Sequence, residues 1–420
     1  HVFFVLLVVL FGIASGVSVL AAQYWGKGDI AGIRSVQGIA LLAAGVLALS
    51  VAAISVSAPG RIISLFSPDP AVVAVGAEYL GIMAISFPAT AVTVVFSQIT
   101  RSCGETRVPL RATVLGFVVN AVLNATLIFG LLGFPALGAA GAAIGTLVAR
   151  ISEAALLLWQ VYRRRLPAAA RIKELRHRPQ GLRGLTLRTS GPVVLNEVGW
   201  SVGVTVYSAV FARISTEALA ARNIADIMLR MLLVAFIGLE NAAAIMIGNT
   251  IGEGNHGEAR RLAWLFSLLA PALALVTSAV LAVLAPFVPR LFSISAATAR
   301  LVTEFCLVIA LTFPFKALTL VQIVGIFRGG GDTVFAMLAD VVGVWGFGVP
   351  LTAIGGLVLG LPPWLVFFLS GSEEILKGSV SLLRTARGRW LHDLTQARFG
   401  IHAPDGKRVD DHSSQSSTEE

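Results

Sequence analysis

Apolar residues along this chain come in blocks of about twenty, Val2–Tyr24, Val36–Ala58, Val72–Thr100 and Leu262–Val283 among them, separated by short polar turns. A helix of that length crosses a hydrocarbon core of roughly 30 Å. Blocks and breakers together predict eleven crossings, at 2–24, 36–58, 71–99, 109–130, 138–162, 190–212, 218–248, 262–284, 300–326, 333–358 and 364–386. The turns hold helix-ending residues, as in Gly26-Lys27-Gly28-Asp29, Ser67-Pro68-Asp69-Pro70 and Gly329-Gly330-Gly331-Asp332. Beyond 386 the chain turns polar and ends in an acidic, serine-rich run, which predicts a solvated and unstructured tail over 387–420.

Composition agrees with a lipid environment. Hydrophobic residues make up 56% of the chain and charged residues 13%, with a mean hydropathy of +0.83, against about 25% charged in ordinary soluble domains. The net charge of +9 sits in loops between apolar blocks, so it orients the chain in a membrane and gives no reason to expect nucleic acid. One set of alternating loops holds Lys27, Arg34, Arg101, Arg107, Arg260 and the basic segment 163–189; the other holds chiefly Arg61, Arg290 and Arg300. The positive-inside rule predicts that the first set, the linker and the C-terminus are cytoplasmic, in a multi-pass protein of the cell membrane. Cys103 and Cys306 are the two cysteines, expected as unpaired packing residues.

Sliding the chain on itself by 226 positions superposes Gly26-Lys27-Gly28-Asp29 on Gly252-Glu253-Gly254-Asn255, Leu65-Phe66-Ser67 on Leu291-Phe292-Ser293, Glu78 on Glu304 and Pro88 on Pro314. One residue further on, Gly104-Glu105-Thr106 meets Gly331-Asp332-Thr333. Charges, turn glycines and a proline agreeing at one nearly constant offset imply an internal duplication. The second unit has six predicted crossings, the first only five, so the first is expected to lack its opening helix. The expected architecture is all-α, with a bundle over 1–162, a cytoplasmic linker over 163–189 and a second bundle over 190–386. Parallel repeats of this kind belong to transporters whose substrate path runs between the halves.

The ordered motifs resemble the multidrug and toxic compound extrusion (MATE) family. They are Ala21-Ala22-Gln23-Tyr24-Trp25-Gly26 with Lys27-Gly28-Asp29, Arg101-Ser102-Cys103-Gly104-Glu105-Thr106, Leu195-Asn196-Glu197 after Pro192, Ile247-Gly248-Asn249-Thr250 and Phe327-Arg328-Gly329-Gly330-Gly331-Asp332. The resemblance implies two pseudo-symmetric six-helix bundles in a V around a central cavity. It also implies export of drugs or other cationic and amphipathic small molecules in exchange for Na⁺ or H⁺, with no cofactor and no enzymatic step. A flippase for lipid-linked precursors, which shares the architecture, is the alternative. The working unit is expected to be a monomer in the bilayer.

Ionisable residues at membrane depth are costly and normally face a cavity or a partner. Glu197, next to Asn196 and about one and a half turns into its crossing, matches the acid that the family uses for cation coupling; Na⁺, if used, is expected near it. Lys316 stands where some members carry an acid, and is expected to pair with Glu197 or with Asp340. Asn223, Asp226 and Arg230 share a helical face and predict a polar ladder, while Asn120 and Asn124, four apart, point together into the first bundle. Arg328 reads as a marker of the cytoplasmic loop. The glycine run after it lacks the Gly-Lys-Ser/Thr ending of a phosphate-binding loop, and the sequence holds no His-Glu-x-x-His, Cys-x-x-Cys or nucleophile-elbow motif.

Overall fold

The computed structural model describes residues 2–396 apart from 178, and these are almost entirely helical. The first half runs through α1 (Val2–Gly26), α2 (Ile30–Ser57), the short α3 (Pro59–Ser64), α4 (Pro70–Ala84), α5 (Phe87–Ser102), α6 (Arg107–Phe129) and α7 (Gly138–Arg163). A one-turn helix, α8 (Ile172–Arg176), lies in the connection. The second half comprises α9 (Leu182–Ile214), α10 (Thr216–Gly252), α11 (His256–Leu284), α12 (Ala296–Leu320), α13 (Thr333–Val342), α14 (Val349–Ala353) and α15 (Pro363–Ala386). Wider π-helical turns at Val321–Arg328, Gly343–Gly348 and Ile354–Val358 extend α12 and join α13 and α14 into one span. Among the described residues nine helical spans are long and apolar enough to cross a membrane, and α4 with α5, bent by 49°, makes a tenth. The eleventh expected crossing, α15, exists as a 24-residue helix whose apolar character is interrupted by Glu373, Glu374, Lys377 and Arg384.

The duplication is visible in the backbone. α1 and α10 end 226 residues apart, at Gly26 and Gly252, and each is followed by a glycine at positive φ, Gly28 (+76°) and Gly254 (+80°), the conformation that ends a helix without a Cβ penalty. Asp29 and Asn255 then cap α2 and α11, their side chains accepting from Gly32 N and Glu258 N. The one-residue change of offset falls between Pro314 and Gly331. Within that interval lies the π-helical turn Val321–Arg328, and an i→i+5 turn is how a helix absorbs an inserted residue while keeping its course.

The halves meet about a pseudo-twofold axis. Gly26 packs on the carbonyl of Asn249 and Gly252 on that of Gln23, while Gly248 faces Ala22; each contact is the other's image under the offset of 226. Further along α1, a methyl at Gly12 would lie 2.8 Å from Val194 Cα, so α1 and α9 touch backbone to backbone. Each half also keeps its own core, Leu10, Leu20, Phe87 and Leu157 in the first, Phe211, Phe236, Phe305 and Phe313 in the second.

Three expectations about boundaries need correction. The sixth crossing begins at Leu182 and not at 190, because Pro192 is accommodated inside a continuous helix; Glu197 is therefore about four turns from its start. The third crossing is bent at Ile85–Ser86, where Pro88 opens a new helix. The segment after 386 is docked as far as 395: Trp390 is fully buried, His392 N donates to Gly330 O at 2.8 Å, and the Gln23 amide donates to His392 O at 3.0 Å and accepts from Leu394 N at 2.8 Å. Positions 397–420 of the expected tail lie outside the described residues. The basic connection is held to α2 through Arg34, which pairs with Glu174 at 2.6 Å, and Gln37, which donates to Ala168 O at 3.0 Å.

Candidate functional site

Charged side chains of the second half converge from α9, α10, α12, α13 and α15. Arg328, only 3% exposed, places Nη1 2.8 Å from Glu197 Oε1 and 3.5 Å from Ser15 Oγ of α1, so it reaches across the seam between the halves. The hydrogen-bond network orients the Asn196 amide so that its oxygen accepts from Arg328 Nη2 at 2.7 Å and its nitrogen donates to Asp340 Oδ2 at 2.9 Å. Asp340 Oδ1 lies 2.9 Å from Lys377 Nζ, which also approaches Glu373 at 3.4 Å and Glu374 at 3.3 Å. Lys316 Nζ donates to the other oxygen of Glu374 at 2.8 Å, and the Tyr207 hydroxyl to Glu373 at 2.7 Å. The result is an alternating string, Glu197, Arg328, Asn196, Asp340, Lys377, Glu374 and Lys316, in which each buried charge is met by its opposite or by an amide. Such groups persist at membrane depth only when paired in this way.

Spacing within α15 explains its share of the string. Glu373, Glu374 and Lys377 lie three and four residues apart and so face one side of the helix. Lys377 needs room for its stem, and Gly343 supplies it, since a methyl there would stand 2.5 Å from Lys377 Cδ. Gly348, one turn on in the same π-helical stretch, likewise faces Tyr207 and Glu373.

A cavity of about 230 Å³ opens beside the string, lined on the polar side by Glu197, Lys316, Arg328 and Asp340 and on the apolar side by Trp200, Leu233 and Phe11, the last from α1. Glu240 of α10 joins the lining; it is 6% exposed, and its Oε2 has no hydrogen-bond partner among the described residues. Bases, acids, apolar walls and the rings of Phe11 and Trp200 together give the cavity an amphipathic surface. No group of His, Cys, Asp and Glu among the described residues is arranged to hold a metal ion.

Of the residues expected from sequence, Glu197, Asn196, Lys316 and Asp340 meet at this cavity. Their pairing differs from expectation: Lys316 binds Glu374 rather than Glu197 or Asp340, whose partners are Arg328 and Lys377. Arg328 is no loop marker, because its side chain turns inward. The ladder on α10 is also corrected. Asn223 and Arg230 are exposed, and Asp226 instead lies 3.6 Å from Arg222, whose guanidinium stands over the rings of Tyr207 and Phe211. Asn120 and Asn124 do point together, Asn124 donating to Asn120 at 3.2 Å and Asn120 to Thr146 at 3.1 Å, at the α6–α7 contact and away from the cavity. Sequence reasoning missed Glu240, Glu373, Glu374, Lys377 and Tyr207; the charges at i, i+3 and i+4 inside the last apolar block were the available signal.

A helical membrane protein whose two repeats meet at a charged, half-apolar cavity belongs to the class of solute carriers. The MatE family model matches residues 1–126 and 192–354, most of both repeats, and the chain belongs to that family of transporters. It is 24% identical over 417 aligned residues to the probable multidrug resistance protein NorM of Thermotoga maritima, covering 93% of this chain and 83% of that protein. It is 28% identical over 364 residues to multidrug resistance protein NorM of Burkholderia vietnamiensis, covering 83% and 76%. The fold matches a crystal structure of MATE in the straight conformation with a TM-score of 0.83 at 18% identity, over 92% of this chain and 86% of the other.

Proposed function

We propose that this chain is a secondary antiporter that exports cationic or amphipathic small molecules from the cytoplasm in exchange for protons or Na⁺. The observation that carries this reading is the cavity at the seam, where four acids face three bases beside Trp200 and Phe11. An excess of acid suits a cationic guest, and aromatic faces add to the attraction. A carrier of lipid-linked pyrophosphate calls for the opposite sign. The relatives named as multidrug resistance proteins support the same reading. Glu197 is the coupling acid in this proposal: it exchanges Arg328 for a proton or cation when the halves rearrange, and the basic rim is the cytoplasmic side.

The test is uptake of a fluorescent organic cation into proteoliposomes under an imposed proton or Na⁺ gradient. Glu197→Gln, which keeps shape and removes charge, is expected to lose at least about tenfold of gradient-driven transport, roughly 1.4 kcal/mol of coupling. Transport by the Gln variant equal to that of the unmodified chain removes Glu197 from the mechanism.

A further inference from the structure

Lys377 occupies an unusual position. Its ammonium is held by carboxylate oxygens of three residues, Asp340 at 2.9 Å, Glu374 at 3.3 Å and Glu373 at 3.4 Å, and its side chain is 2% exposed. The three carboxylates thus enclose one point beside the cavity, and the ammonium occupies it. We propose that Lys377 determines ion specificity in the second half of this transporter: its tethered ammonium fills the carboxylate cluster and closes it to Na⁺.

Na⁺ binds through several oxygens at short range, and a carboxylate cluster attracts it because the oxygens lack a permanent counter-charge. Here the counter-charge is covalently attached. The space beside the ammonium is filled as well, since Tyr207 donates to Glu373, Lys316 to Glu374 and the Asn196 amide to Asp340. A second cation would meet both Lys377 and Lys316 across a poorly screened distance, where like charges repel strongly. The backbone is fitted to the lysine: Gly343 leaves its stem the space that any Cβ would take, with Lys377 Cδ at 2.5 Å and Cγ at 2.6 Å from such an atom. Removing the ammonium leaves three acids facing Lys316 alone, with a vacant volume at their centre.

This inference rests on the reading of the chain as an ion-coupled carrier, and the experiment separates the two. Thermal unfolding of the detergent-purified chain is compared in saturating NaCl and in choline chloride of equal ionic strength. Lys377→Arg, which keeps the charge, is expected to respond to Na⁺ no more than the unmodified chain does. Lys377→Ala is expected to gain a Na⁺-specific rise in Tm of roughly 2 °C or more, as a ligand bound to the folded state alone must produce. A folded Lys377→Ala protein whose rise does not exceed that of the unmodified chain, or a Lys377→Arg protein whose rise does, overturns the proposal. So does a Na⁺-specific rise in the unmodified chain that Asp340→Asn removes, a result that needs no lysine variant to fold. Loss of all gradient-driven transport in the unmodified chain would instead defeat the antiporter reading and leave these melting temperatures unchanged.

Discussion

The two halves share a backbone and differ in charge. At the offset of 226, Glu240 of the second half corresponds to Ala14 of the first, and Lys316 to Thr90; beyond the inserted residue, Arg328 corresponds to Arg101. Ala14 and Thr90 are both buried, the first in the apolar core and the second with its hydroxyl donating to Ser86 O at 3.0 Å. Arg101 stays on its own helix, donating to Gln98 Oε1 at 3.1 and 2.8 Å, whereas Arg328 leaves its helix to bind Glu197 and touch α1. In the first half the buried charge is local too, with Glu153 bound by Thr113 and Arg150 at the α6–α7 contact. The two copies therefore share where the chain turns and where the halves touch, while the interior of one holds a charge network and that of the other is chiefly a packing core.

Substitutions at corresponding positions of the two halves test this contrast. Arg328→Ala strands Glu197 without its cation, and a loss of about 3 kcal/mol is expected, with transport falling at least tenfold; Arg101→Ala should cost about 1 kcal/mol and leave transport within about twofold. Melting temperatures and vesicle uptake measured side by side decide it, and equal effects would erase the distinction between the halves. A smaller effect is expected from Asn120→Ala, about 1 kcal/mol for the bonds to Thr146 and Asn124, with the ratio of transported substrate to driving ion unchanged. If that ratio shifts, the first half carries coupling chemistry of its own.

The smallest effect concerns the connection between the halves. Glu174 accepts from the backbone N–H of Arg171, which with the nearby Arg34 guanidinium holds its carboxyl below the ordinary carboxylate range. A depressed carboxyl stabilises the docked form above its unfolded value, and that contribution disappears as pH falls through the lower, folded value. Protection of the amides across 171–176, taken relative to the intrinsic exchange rate at each pH, should therefore stay high near neutral pH and fall on acidification below the usual carboxylate range. Protection that does not change with pH would show that α8 is held by backbone contacts such as that of Leu175 on Gly38 rather than by Glu174.

The fold was largely legible because lipid imposes a length and a polarity that few sequences satisfy by accident, and because capped turns such as Gly28-Asp29 and Gly254-Asn255 repeat at a constant distance. The single-residue slip in that distance was also visible, although its meaning required seeing the π-helical turn before Arg328. The site was legible only in part. Glu197, Asn196, Lys316 and Asp340 stood out as isolated polar residues in apolar surroundings, but pairing depends on helix rotation and on which residues lack a Cβ. Lys316 reaches Glu374, and Lys377 reaches Asp340, through a geometry set by Gly343 and Gly348 that spacing does not reveal. Glu373, Glu374 and Lys377 were overlooked since a charged stretch near the end of a last crossing resembles an ordinary membrane boundary.

The docked residues after α15 bear on how the seam can part at the basic end. They are anchored at both ends: Trp390 is wholly enclosed by the second half beside Gly330, and both polar atoms of the Gln23 amide on α1 are engaged by the backbone at His392 and Leu394. The hold on the first half is these two bonds, about 1 kcal/mol each, with an exposed bond from Lys27 to Thr395 O at 3.2 Å and the partly buried Leu394 against its core, whereas Trp390 is wholly buried in the second half and its segment is covalently continuous with α15. Any parting of α1 from α10 at this end must therefore break the contacts to Gln23, Lys27 and the first core, and the segment stays moored to the second half like a clasp hinged on one side.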